Sequence, residues 1–161
     1  MENKASIGTA RNKARQLLKD AGIKTAPTSI REVVNYLQEN RNFNIASYSG
    51  FDEDTDALLH TDSEGSTLLF DPSNSENRKR FTIAHEIGHF MLDHTQHGWC
   101  KRQEGTSRDP KESEADEFAG ELLMPLKLFK ADLNRGMHVD DLAKKYVVSK
   151  SAAGVRASKL I

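Results

Sequence analysis

Apolar residues in the N-terminal quarter of the chain recur with a helical period. Ile7, Ala10, Ala14, Leu17, Leu18 and Ala21 form one stripe, which Gly22 ends. Pro27-Thr28-Ser29 opens a second: Ser29 and Glu32 have capping-box spacing, and Ile30, Val33, Val34 and Leu37 share a face. From about residue 43 the period shortens. Residues 44–51, 56–61 and 66–71 are short runs bounded by Asp, Gly and Ser, and they predict three strands of a small antiparallel sheet. Asp62-Ser63-Glu64-Gly65 reads as the hairpin between the last two.

Helical spacing then returns. Beyond Pro72 and a Ser73…Glu76 capping box, apolar residues surround the segment Arg80–Leu92 on most sides, predicting a buried helix. Residues 93–111 are polar and without period, a loop long enough to act as a lid. Asp109-Pro110 starts another helix, which Pro125 ends and whose buried face is Phe118, Ala119, Leu122 and Leu123. Residues 139–160 have the rhythm of helix, turn, helix: Leu142, Ala143 and Tyr146 face inward, Ser149 caps, and Ala152, Val155 and Leu160 continue. The class is α+β, a main domain over residues 1–130 with a helix-turn-helix-like segment, 131–161, packed on the same unit.

Composition narrows the picture. The 161 residues suit one unit with a respectable core, and 29% charged against 37% hydrophobic residues marks a polar globular chain. A net charge of −1 argues against general nucleic-acid binding. No apolar run approaches the ~20 residues that span a bilayer, and Met1 to Ser6 do not resemble a signal peptide. A single cysteine, Cys100, cannot close an internal disulfide and reads as a free thiol. A cytoplasmic protein without membrane contact is the expectation.

The chemistry lies in His85-Glu86-Ile87-Gly88-His89. On a helix His85 and His89 are a turn apart on one face, where two imidazoles can chelate Zn²⁺ at about 2.0–2.1 Å. Glu86, one position round from His85, can reach a water there as general base. A shuffled chain with 6 His and 12 Glu contains such a match with a chance of about 0.016. His60, on a strand, reads as a surface or packed histidine. His94 and His97 read as exposed loop residues, and His94, a turn past His89, is the candidate auxiliary residue.

A catalytic zinc site needs a third protein ligand. Glu112 and Asp116 are i, i+4 neighbours, so one can bind the metal while the other accepts a hydrogen bond from a ligating imidazole. Glu114 points roughly the other way and is the fallback, and Glu112 also suits a capping role after Asp109.

Two blocks, Arg80-Phe-Thr-Ile-Ala-His-Glu-Ile-Gly-His89 and Glu112-Ser-Glu-Ala-Asp-Glu-Phe-Ala-Gly-Glu-Leu-Leu-Met-Pro125, together resemble the ImmA/IrrE-type zinc metallopeptidases of bacteria and their mobile elements. The resemblance extends more loosely over nearly the whole chain. It implies a zincin-like core with the helix pair against a small sheet, Zn²⁺ held by His85, His89 and Glu112, and Asp116 behind them. It also implies a substrate: such enzymes typically cleave a helix-turn-helix transcriptional repressor and so switch genes on.

The leading expectation is therefore a zinc endopeptidase in which Glu86 activates water, with His94, Tyr48 or a loop arginine stabilising the oxyanion. The strand ending near Phe70 would present an extended peptide by backbone pairing. The alternatives are a non-catalytic regulator that binds a repressor or DNA, and a proteolytic toxin. DNA contact would fall to residues 139–161, where Lys144, Lys145, Lys150, Arg156 and Lys159 face only Asp140 and Asp141.

Overall fold

Both N-terminal stripes form helices, α1 (Ile7–Asp20) and α2 (Ile30–Asn40), with Ser29 accepting the Glu32 amide as N-cap. The strands are β1 (Phe43–Ser47), β2 (Ala57–Asp62) and β3 (Gly65–Phe70). The remaining elements are α3 (Glu76–Met91), β4 (Gly98–Lys101), α4 (Pro110–Leu123), α5 (Leu126–Asn134), α6 (Val139–Tyr146) and α7 (Lys150–Ser158). This computed structural model describes residues 5–94, 98–101 and 109–160, with the backbone alone for 98–101. The expected site of His97, the arginines at 102 and 108, and the Cys100 side chain lie outside the described residues.

The sheet differs from the expected antiparallel trio. Among the described residues it has four strands in the order β1-β3-β2-β4, and β1 runs parallel to β3 while the other pairs are antiparallel. The β2–β3 hairpin stands as expected, with Asp62 opposite Gly65 and the Glu64 amide bonded to Asp62. Gly65 has φ +136, and a Cβ there would sit 2.8 Å from the Asn42 carbonyl, so only glycine closes the turn this tightly. β3 is consequently a central strand. Both of its edges are hydrogen-bonded, so it cannot take a peptide by strand addition, and the expectation for the strand ending at Phe70 is withdrawn. Among the described residues the edges are β1 and β4. β4 itself arises in the stretch expected to be an aperiodic loop.

One core joins the layers: Leu17, Leu37, Phe43, Leu68, Phe118 and Tyr146, almost fully buried, belong to a single cluster that runs from α1 to α6. α3 lies between the sheet and α4, and nine of its residues are buried, from Arg80 through His89. Its cap is Ser75, which accepts the Arg78 amide, rather than the expected Ser73, which turns back onto Asp71. Gly88 is what lets α4 approach. A Cβ there would stand 3.1 Å from Phe118 and 3.2 Å from the Ala115 backbone.

Arg80 ties α3 to the C-terminal helices. Its buried guanidinium donates to the carbonyls of Thr28, Tyr146 and Val147 at 2.8, 3.2 and 3.0 Å. Val147 ends α6 with φ 53, the left-handed conformation that usually falls to glycine. A β-branched residue is strained there, and the bond from Arg80 to its carbonyl helps to hold it. No helix among the described residues is long and apolar enough to cross a membrane.

Candidate metal centre

His85 and His89 project from one face of α3, and their Nε2 atoms are 3.1 Å apart. Glu112, in the first turn of α4, brings one carboxylate oxygen to each: Oε2 lies 3.0 Å from His85 Nε2 and Oε1 lies 2.9 Å from His89 Nε2. The Asp109 cap and Pro110 start α4 just before Glu112, which fixes where this carboxylate enters. The three residues form a group that could hold a metal ion.

The donor set fits zinc. Ligand atoms on a tetrahedron of ~2.0–2.1 Å radius stand about 3.3 Å from one another, close to the spacing found here. Asp116 Oδ1 lies 2.7 Å from His85 Nδ1 and accepts its proton, leaving a lone pair on Nε2. That lone pair faces the Glu112 carboxylate, so something positively charged must stand between them. Without a metal a proton serves. Burial works against a charged His85, but the hydrogen bonds to Asp116 and Glu112 outweigh it and raise its pKa to about 9. His89 goes the other way, its pKa lowered chiefly by burial despite its bond to Glu112. Burial likewise opposes the charge on Glu112, yet the bonds from His85 and His89 hold it down at about 2.

Glu86 lies between these elements, 0% exposed. His94 is placed differently from expectation. Its side chain is 7% exposed, with Nδ1 2.8 Å from His89 Nδ1 and Nε2 2.7 Å from Glu114 Oε2. Both ring nitrogens are engaged, one with His89 and the other with Glu114. Glu114 sits behind His94 rather than with the histidine pair. Tyr48 is 47% exposed and packs edge-on against Phe51. His60 is on β2, half-buried, and remains a strand residue.

Sequence reasoning missed the other face of α4. Glu117 and Glu121 are buried there around Arg156 of α7, whose Nη1 lies 2.9 Å from Glu117 Oε1 and whose Nη2 bonds Glu121. Arg11 reaches Glu117 at 2.7 Å, Arg15 reaches Glu121 at 2.8 Å, and Lys159 reaches Glu117 at 2.6 Å. The signal in the sequence was the acid spacing itself: Glu117 and Glu121 are i, i+4 neighbours, five residues and so about 140° round the helix from Glu112 and Asp116.

Comparison with known proteins follows from this arrangement. A solved Mycobacterium tuberculosis transcriptional regulator shares the fold, with a TM-score of 0.66 at 13% identity over 91% of this chain. The chain spans 45% of that regulator's length. No curated protein matches it in sequence. Residues 37–158 match the family Peptidase_M78, the IrrE N-terminal-like domain, over the strands, the metal helix, α4 and nearly all of the C-terminal helices. With His85, His89 and Glu112 drawn together inside the matched region, the chain belongs to the ImmA/IrrE-type, zinc-associated metallopeptidase family.

Proposed function

We propose that this protein is a zinc-dependent endopeptidase whose substrate is a helix-turn-helix transcriptional repressor. The observation that carries the reading is the convergence of His85, His89 and Glu112 on one point beside the buried Glu86. Zinc bound there would polarise a scissile carbonyl and make water acidic enough to attack near neutral pH. His85 and His89 hold it from one helix and Glu112 from another, so the position is set by the α3–α4 contact. Asp116 keeps His85 in the tautomer that offers Nε2. Glu86 takes the proton from the attacking water and hands it to the leaving amine nitrogen. An extended substrate pairs with the outer edge of β4, an edge strand among the described residues that follows α3 in the chain.

Membership of the ImmA/IrrE-type family supports a peptidase, the resemblance to its repressor-cleaving members supplies the substrate class, and the fold shared with a transcriptional regulator is consistent with it. Residues 131–161 then act as a docking module packed on the same unit. DNA contact by this segment is the weaker reading. Five of its six basic side chains are already in ion pairs: Arg135 and Lys145 with Asp132, Lys150 with Asp140, Lys159 with Glu117, and Arg156 with Glu117 inside the core.

The test is incubation with the helix-turn-helix repressor encoded beside the gene, with and without a chelator, followed by mass spectrometry of the fragments. Cleavage that needs zinc and disappears in Glu86→Gln, with zinc still bound, is the expected result. Full cleavage by the zinc-loaded Glu86→Gln variant would end the mechanism.

A further inference from the structure

Five residues of different origin form one line: Ser6, Glu114, His94, His89 and Glu112. The Ser6 amide donates to Glu114 Oε1 at 2.8 Å, and Glu114 Oε2 lies 2.7 Å from His94 Nε2. His94 Nδ1 then lies 2.8 Å from His89 Nδ1, and His89 Nε2 faces Glu112.

The turn that makes this line is specific. A residue five places beyond His89 would point away from it on a continuing helix. α3 instead stops in a Schellman motif: Asp93 takes φ 54, the His94 amide bonds the His89 carbonyl at 3.0 Å, and the Asp93 amide bonds the Phe90 carbonyl at 3.3 Å. The chain doubles back, and the His94 ring meets the His89 ring at 5.0 Å between centroids. An aspartate tolerates this conformation where most residues do not.

Counting protons along the line leaves one arrangement. The Glu114 carboxylate can only accept, so His94 Nε2 carries the hydrogen. A neutral His94 then has a bare Nδ1, which can only accept, so the hydrogen between the two rings belongs to His89 Nδ1. His89 Nε2 is left with its lone pair directed at Glu112 and at the metal position. Resting on the metal site proposed above, we propose that His94 and Glu114 are positioning residues that fix the tautomer and ring orientation of His89. Asp116 does the same for His85 directly. The two ligands are thus oriented by unequal means, one by a carboxylate and the other through an intervening imidazole, and Ser6 anchors the far end of the longer line.

The experiment starts from the unaltered, zinc-loaded chain with ¹⁵N-labelled histidine. Long-range ¹H–¹⁵N correlation spectra should show His94 protonated on Nε2 and bare on Nδ1, and His89 protonated on Nδ1. The opposite tautomer at His94 overturns the relay, whatever any variant does. Zinc affinity, measured by competition with a chromophoric chelator, provides the second readout. His94→Leu removes the acceptor, and the loss of such an orienting partner typically lowers metal affinity about 10–100-fold. His94→Asn places an amide oxygen near the former Nδ1 and should recover most of that loss. A merely space-filling role for His94 predicts no such rescue. Because Glu114 acts through His94, Glu114→Gln should weaken zinc binding in the wild-type background and have no further effect in His94→Leu. Additive losses, or wild-type affinity in His94→Leu, overturn the relay while leaving the metal site standing. A wild-type chain that binds no zinc overturns both.

Discussion

The two faces of α4 carry the same kind of residue to opposite ends. Towards α3, Glu112, Glu114 and Asp116 meet three imidazoles, His89, His94 and His85, and Asp116 remains 54% exposed while it does so. Towards α1 and α7, Glu117 and Glu121 meet Arg11, Arg15, Lys159 and the 3% exposed Arg156. An imidazole can surrender its proton to a metal, so the first face is built to exchange one cation for another. A guanidinium cannot be deprotonated in a protein. The second face is therefore a permanent ionic tie among three helices, and it anchors α4 independently of any metal on the first face. What a glutamate does on this helix is decided by the partner it meets.

Removing one cation from each face should separate the roles most sharply. Arg156→Leu removes the buried cation between two buried carboxylates, leaving Glu117 with Arg11 and Lys159 and Glu121 with Arg15, and breaking a buried pair in this way costs up to about 3–5 kcal/mol. The expected outcome is a large fall in the denaturation midpoint, with or without zinc, measured by circular dichroism in urea. Glu112→Gln should lower the metal-free midpoint less than Arg156→Leu does, through loss of the bonds with His85 and His89 that hold the Glu112 pKa at about 2, and should abolish the additional stability that zinc gives, about 2.7 kcal/mol at 100 times Kd. If Arg156→Leu were neutral and Glu112→Gln ruinous without zinc, the division between the faces would be wrong.

The α3 side of this comparison was readable from the chain alone, and the α7 side was not. His85, Glu86 and His89 are local: helix geometry places them without knowledge of anything else. Glu112 and Asp116 could be matched to a histidine pair by spacing, although which acid faced which ring depended on where α4 begins. Glu117 and Glu121 needed partners 106 residues back in α1 and 35 to 42 residues ahead at α7, and no periodicity encodes such a meeting. Arg156 misled for that reason, since a basic residue in a helix-turn-helix reads as a DNA contact until its burial is known. The parallel pairing of β1 with β3 is non-local in the same way. β4 has four residues, Gly98–Lys101, too few to show an alternation, and its pairing with β2 is known only from the fold. α5 does carry a local signal after Pro125, with Leu126, Phe129 and Leu133 at helical spacing.

The contact between α3 and α4 offers a finer cut. Gly88→Ala places a methyl 3.1–3.2 Å from Phe118 and the Ala115 backbone, and the backbone cannot yield as a side-chain tip would. Overpacking of this kind costs about 1–3 kcal/mol. The α4 face toward Arg156 should be undisturbed, whereas Glu112 moves away from the histidines. Zinc affinity should therefore fall by more than the stability loss alone explains, as read by chelator competition on the folded variant. A Gly88→Ala chain that loses stability and keeps full zinc affinity would show that the close approach serves packing alone.

Acid should dismantle the faces one after the other. Zinc competes with protons for His85 and His89, so zinc is released as pH falls below neutrality. The other face persists to lower pH. Burial opposes the charge on Glu117, but hydrogen bonds from Lys159 and Arg11 hold its pKa at about 2, against an ordinary value of 4.5. A carboxyl depressed on folding adds stability that is complete above its unfolded value and fades as pH drops through its folded one. Its contribution should hold down to about pH 4.5 and decline from there towards 2. Urea midpoints measured across that range should drop for wild type and less steeply for Glu117→Gln, which lacks the linked proton. Equal slopes would place the acid sensitivity elsewhere. A midpoint that collapsed together with zinc release, well above pH 4.5, would mean that the metal rather than the arginine hub is what keeps α4 in place.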